Sequence, residues 1–228
     1  MQNRLNALLL SLACTFASLP VAASEDQLAA DAADVVEALA EIPEAGIPPA
    51  LLRDAYAIAV IPNVIKVGLL IGGRFGKGLL TVRTAEREWS NPAFVTLTGG
   101  SFGFQFGAQS TDVILVFKNK RSVDNIVNGK VTLGADAAIA VGPLGRRTEA
   151  ATDAQFQAEI YSYSRSRGLF AGVSLEGAAL QIDGDANADF YGQPGIEASS
   201  IFTDVNLTRP AAAKQFIQVL NRYTPKPP

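Results

Sequence analysis

Apolar and polar positions alternate along much of this chain with the two-residue period of a β-strand. Ala93, Val95 and Leu97 alternate with partners of the opposite face, and Phe102, Phe104 and Phe106 repeat the pattern beyond Gly99-Gly100. The residues between those phenylalanines, Gly103 and Gln105, leave the other face nearly bare, so the stretch Trp89–Gly107 reads as core-building, with Gly99-Gly100 as its expected bend. Further strands are expected at Ala57–Ile61, stopped by Pro62, and at Val64–Gly72, Leu79–Arg83, Ser101–Ala108 and Val113–Lys118. The later ones are Ile160–Arg165, Leu169–Ser174 and Ala178–Ile182, with Val131–Val141 as a strand pair or one bent strand. Short strands so spaced predict an antiparallel sheet curled into a sandwich or a barrel-like body.

The period changes to that of a helix at both ends. Leu28, Ala32, Val35, Leu39 and Ile42 line one face of a helix over Ser24–Ile42, with Ser24 and Gln27 at capping-box spacing and Pro43 as its stop. Pro48-Pro49 opens a short helix through Tyr56, Ser122–Asn128 a third, and Pro210–Tyr223 carries Phe216, Ile217, Leu220 and Tyr223 on one face. The fold class expected is therefore α+β: a β-rich antiparallel body with flanking N- and C-terminal helices. Three segments result: a leading 1–23, a helical leader 24–55, and a β-rich domain 56–228.

Met1–Ala23 has the form of an export signal, with Arg4 before an apolar run and Pro20-Val21-Ala22-Ala23 as a small-residue cleavage site. The run is too soon broken by Pro20 to span a membrane as a helix. Two fates are open: release of a soluble protein into the periplasm or cell envelope, or acylation of Cys14 as a lipoprotein. Ser11 stands three before the cysteine, where lipoprotein signals carry leucine, which favours soluble export.

Composition closes much of the enzyme menu. The 228 residues include no histidine and one cysteine, Cys14. Ser-His-Asp and Cys-His catalysis, cysteine zinc sites and intramolecular disulfides are all excluded. The net charge of −3 is split: seven acids and no base lie between Ser24 and Leu52, whereas 18 bases and 15 acids follow from Arg53 onward. A mildly basic body without a basic stripe argues against nucleic acid as a partner. The acidic leader is expected to pack on the body, because membrane-surface helices carry Lys and Arg on their polar face.

Two loops invite a ligand and fail. Gly72–Gly78 lacks the Walker spacing and has Gly78 where Ser or Thr should follow Lys77, leaving an expected turn that presents Arg74 and Lys77. Asp183–Asp189 alternates oxygen side chains, but Ala188 and Pro194 occupy the glycine and glutamate positions of a calcium loop, so a turn between strand and helix is expected. Glu176 has no identifiable carboxylate partner. Neither a metal nor another cofactor is expected. The remaining candidates are basic: Arg74, Lys77, Lys118, Lys120, Arg121, Arg146, Arg147, Arg165 and Arg167, an anion-attracting face if folding gathers them.

Ordered blocks of the chain resemble the SYLF domain family: IPNVIKVG at Ile61–Gly68, GGRFGKGLL, WSNPAFVTLTGGSFGFQFG, GADAAIAVGPLGR, YSYSRSRGLFAGVSLEGAAL and FYG at Phe190–Gly192. That resemblance implies lipid binding without catalysis, with phosphoinositide and actin binding in eukaryotic members. It also implies membrane engagement through an N-terminal amphipathic helix and basic residues, whereas the leader here is acidic. The function expected is a non-enzymatic lipid-binding protein that contacts anionic phospholipid head groups on a membrane surface. The alternative is an envelope scaffold with protein partners.

Overall fold

The structure, a computed structural model, describes residues 24–38, 47–68, 71–102, 107–143, 157–166 and 169–224. Its strands are β1 (Ala57–Gly68), β2 (Ile71–Val82), β3 (Ala93–Phe102), β4 (Gly107–Phe117), β5 (Val131–Thr132), β6 (Ile139–Val141), β7 (Ile160–Ser166), β8 (Leu169–Gly172) and β9 (Ala179–Ile182). The helices are α1 (Glu25–Glu37), α2 (Pro49–Asp54), α3 (Lys120–Val127), α4 (Gly184–Tyr191), α5 (Ala198–Thr203) and α6 (Ala211–Tyr223). The fold is α+β. The nine strands among the described residues form one sheet in the order β5-β9-β3-β2-β1-β4-β7-β6, with β8 added on β7. All pairings are antiparallel except β6 with β7.

The expected strand pair at 131–141 is present, but its halves lie at opposite ends of that order. Six residues join Thr132 to Ile139, so the two ends of the sheet stand no more than about 25 Å apart. A Leu133–Ala137 bridge shortens the link further. The sheet is therefore curled, as in the barrel-like alternative.

Both faces of the sheet are buried over these segments of the central strands, which explains continuous apolar runs such as AIAVI in β1 and VILVF in β4. On the first face, Ile58, Val60, Leu79, Phe94, Ile114 and Tyr163 pack against α1 and α6. On the second, Ile61, Leu80, Val95, Leu97, Leu115 and Phe117 pack against Val123 and Ile126 of α3 and Ile201 and Phe202 of α5. The leader does pack on the body: Ala29, Ala32, Ala33, Val35 and Val36 of α1 are all buried. Ser24 accepts a bond from the Gln27 amide at 3.2 Å, while the Gln27 side chain turns to Asp31 instead of completing a capping box. Leu39 and Ile42 lie outside the described residues.

Five expectations along the strands are overturned, and most of them share a cause. Pro62 does not stop β1; it lies in a bulge where β1 carries one residue more than either neighbour, with Asn63 at φ 51°. β1 therefore runs on to Gly68, and the expected strand Val64–Gly72 is divided between β1 and β2. The glycine-rich segment 72–78 is not a turn but the first half of β2. A Cβ at Gly78 would lie 2.2 Å from the Val60 carbonyl oxygen, and one at Gly76 would lie 2.8 Å from the Val64 side chain. Those glycines exist because the bulged strand presses on them. Gly99-Gly100 does not bend the chain either: both lie inside β3, with Gly99 closely approached by Ala178. The expected strand Ser101–Ala108 is split, since Ser101 pairs with β2 while Gly107 pairs with β1 on the far side of the hairpin. Phe104 and Phe106 lie outside the described residues.

Substituting Gly78→Ala should cost about 3 kcal/mol or more, because the clash is with backbone that cannot step aside. Gly100→Ala, with nothing within 4 Å of the added carbon, should stay within about 0.5 kcal/mol of the native protein. Urea unfolding of the two variants checks the contrast.

Candidate functional site

β1 and β2 each have 12 residues, a length of about 36 Å. The strand directions place the β1–β2, β3–β4 and β7–β8 ends together at one end of the sheet, the tip. The opposite end, the base, carries the 83–92 connection and the start of α3. Near the tip the first face is no longer covered by α1 and α6. There Ile65, Val67 and Phe75 are 47, 51 and 49 % exposed. Ile65 and Phe75 are direct cross-strand partners, and Val67 is two residues on, so the three form one apolar patch.

Lys66 and Arg74, also cross-strand partners, stand on the other face of the same two strands. Arg74 donates Nη1 to the Ser174 carbonyl at 3.1 Å, and its Nε is buried without a partner among the described residues. Burial lowers the affinity of its guanidinium for protons. The tip hairpin is thus amphipathic: apolar on one face, cationic on the other.

The other basic candidates are dispersed. Lys77 Nζ is 2.8 Å from Asp183 Oδ2. Arg165 is 2.9 Å from Asp112, whose other oxygen accepts the Asn63 amide and so holds the bulge. Both cations serve the fold. Lys118, Lys120 and Arg121 lie at the base, about 30 Å from the tip along β4. Lys120 pairs with Asp124 one turn along α3 at 2.6 Å, Lys118 stands 5.4 Å from the centre of the Tyr161 ring, and Arg121 is exposed. Arg146, Arg147 and Arg167 lie outside the described residues. Arg74 is joined at the tip by Lys66 and the apolar trio, which sequence reading missed. The signal was present: Ile65-Lys66-Val67 alternates in the manner of a strand with one wet face.

The segment Asp183–Asp189 is mainly helix, not a turn. Asp183 caps α4 by accepting the Ala186 amide at 3.1 Å, and the buried Asn187 accepts the Phe94 amide at 2.7 Å. Two of its oxygen side chains, Asp183 and Asn187, are thus committed to backbone amides. Glu176 is exposed on the turn before β9. Among the described residues no group of three carboxylate or thiol side chains is placed to hold a metal ion, and no helix is long and apolar enough to cross a membrane.

A family model described as Ysc84, a Las17-binding protein actin regulator, matches residues 98–223. An SH3 domain-containing YSC84-like protein 1 of Xenopus laevis is 37 % identical over 185 residues, covering 81 % of this chain and 55 % of its own. An SH3 domain-containing protein of Schizosaccharomyces pombe is 40 % identical over 178 residues, covering 77 % and 41 %. Protein YSC84 of Saccharomyces cerevisiae is 34 % identical over 177 residues, covering 76 % and 37 %. The chain thus spans about half the length, or less, of these relatives.

The Lys77–Asp183 pair gives a pH-dependent prediction. Burial raises the proton affinity of the Asp183 carboxyl, but bonds from Lys77, the Ala186 amide and Thr96 outweigh it and hold the group below its ordinary value. A depressed value means that the stabilisation is present above the unfolded-chain value of about 3.9 and is lost as pH falls through the folded one. Asp183→Asn should cost about 1–3 kcal/mol at neutral pH. The gap from the native protein should narrow at about pH 3, as read by urea unfolding at both pH values.

Proposed function

The chain belongs to the Ysc84 (SYLF) family, and from that premise we propose that it is a non-catalytic module that docks on anionic phospholipid membranes by the tip of its sheet. The observation that carries this reading is the amphipathic hairpin: Ile65, Val67 and Phe75 half exposed together, backed by Lys66 and Arg74. Inserting three half-exposed apolar side chains is worth about 3 kcal/mol, and two cations near an anionic surface add about 2. Such a sum supports weak, reversible attachment. The membrane element is then the hairpin and not the N-terminal helix, whose apolar face is already buried in the core. The leading segment Met1–Ala23 supports export to the periplasm or cell envelope, where phospholipid head groups are the accessible anionic surface.

A second reading is a scaffold that binds protein partners. It is favoured by the description of the matching family model, a Las17-binding actin regulator, and by the SH3 domain-containing relatives. In it, the same tip patch would meet a protein surface instead of a bilayer.

Co-sedimentation with phosphatidylcholine liposomes, with and without phosphatidylglycerol, tests the first reading. Binding should require the anionic lipid and weaken with salt. The combined change Ile65→Ser, Val67→Ser and Phe75→Ser should lower the affinity about tenfold or more while leaving the fold intact. Undiminished binding by that variant, or equal binding to neutral liposomes, would remove the tip from the membrane. Partner capture by the native protein without any liposome binding would favour the scaffold.

A further inference from the structure

The connection between α5 and α6 carries a motif that the membrane reading does not use. Asn206 is the only asparagine of the chain followed two residues on by serine or threonine, in the run Asp204-Val205-Asn206-Leu207-Thr208. Asn-x-Thr with a non-proline middle residue is the acceptor pattern for N-linked oligosaccharide in exported chains. Asp204, two residues before the asparagine, supplies the acid that oligosaccharyltransferases of bacterial type also require.

The fold presents this run on a turn. α5 ends at Thr203, and the Asp204 carbonyl accepts the Leu207 amide at 3.3 Å. Asp204 Oδ1 also accepts the Asn206 amide at 2.8 Å, as Asp does at the start of many turns. Val205 is 94 % exposed, and Asn206 and Thr208 are both exposed. Neither the Asn206 side-chain amide nor the Thr208 hydroxyl has a hydrogen-bond partner among the described residues. Those are the two groups that the transfer uses, the amide nitrogen as nucleophile and the hydroxyl as a recognition contact. Asn63, Asn91, Asn119 and Asn187, by contrast, are spent on hydrogen bonds that hold the fold.

We propose that Asn206 is an acceptor for an N-linked oligosaccharide, an inference that rests on the export part of the proposed function. Asn206 Nδ2 attacks the anomeric carbon of an oligosaccharide carried on polyprenyl pyrophosphate. The C–N bond forms, the anomeric C–O bond breaks, polyprenyl pyrophosphate leaves, and one amide proton passes to a base of the transferase. Leu207 sets the timing: it is 8 % exposed and packed in the core of the second face, so the folded turn cannot be drawn into an enzyme. Transfer therefore precedes packing, on the extended chain as it is exported, and Leu207 docks afterwards with the sugar left in solvent. Bonds from Asn91 to the Leu207 carbonyl and from Arg209 to the Trp89 carbonyl place the turn at the base. The sugar thus stands about 30 Å from the tip, clear of the membrane.

The test is expression of the full chain in a bacterium that makes a polyprenyl-linked oligosaccharide and a bacterial-type oligosaccharyltransferase, read by mass spectrometry of its peptides. One oligosaccharide on the peptide that holds Asn206 is expected. Asn206→Gln should abolish it, Asp204→Ala and Thr208→Ala should each lower occupancy about tenfold or more, and Thr208→Ser should keep it. The sugar should leave the urea midpoint and the co-sedimentation with anionic liposomes unchanged. A second arm replaces Met1–Ala23 by a leader of proven export. Sugar on Asn206 in that arm alone would support the acceptor and overturn export by the native leader, so the two readings fail separately. An exported protein without sugar on Asn206 in the second arm, or occupancy undiminished by Thr208→Ala, would overturn the proposal. Equal modification of the purified, folded protein by the same enzyme would overturn the order of transfer and packing.

Discussion

A helix of 13 residues is about 20 Å long, and a strand of 12 residues is nearly twice that. α1 and α6 have 13 residues each, while the β1–β2 hairpin they cover has strands of 12. Even laid along the strands, the helices cannot cover the whole hairpin. They cover its base half, where Ile58, Val60 and Leu79 are sealed against Phe216, Ile217 and Leu220. The tip half keeps the strand alternation but loses its cover, and Ile65, Val67 and Phe75 face outward. Exposure of three large apolar residues in one patch is thus a consequence of element lengths.

The bulge at Pro62-Asn63 separates the two halves. Arg165 and Asp112 fix it from β7 and β4, with the Asn63 amide held by the same carboxylate. Its extra residue crowds β2, so β2 must present Gly76 and Gly78 there. A local irregularity in one strand thereby sets the residue types of the next. On the β9 side, Lys77, Thr96 and Asp183 tie β2, β3 and the start of α4 together.

At the base a different constraint applies. Trp89 donates its indole N–H to the Thr224 hydroxyl at 2.8 Å, and Arg83 reaches the Thr224 carbonyl, so the end of α6 is latched to the 83–92 connection. That latch buries the only tryptophan and holds the Arg83 guanidinium 3.8 Å from the centre of its ring. The two ends of the sheet therefore differ: an open amphipathic hairpin at one, a hydrogen-bonded latch at the other.

The sequence by itself determined most of the longer elements, the α+β class, the packing of α1 and the family, because periodicity and ordered glycine-rich blocks are local signals; it read the strand at 72–78 and the helix from Gly184 as turns and gave no sign of α5. It also excluded Ser-His-Asp and Cys-His catalysis, since the 228 residues hold no histidine. Strand boundaries were not legible, since Pro62 and the glycines of 72–78 and 99–100 signal a break locally but are tolerated in a bulge and against close backbone. Which cations stand free was decided only by the tertiary structure. Lys77 and Arg165 lie 106 and 53 residues from their carboxylate partners, and Lys66 faces Arg74 only across the hairpin. Exposure of Ile65, Val67 and Phe75 was equally invisible, because an alternating apolar strand reads the same whether or not a helix is long enough to reach it.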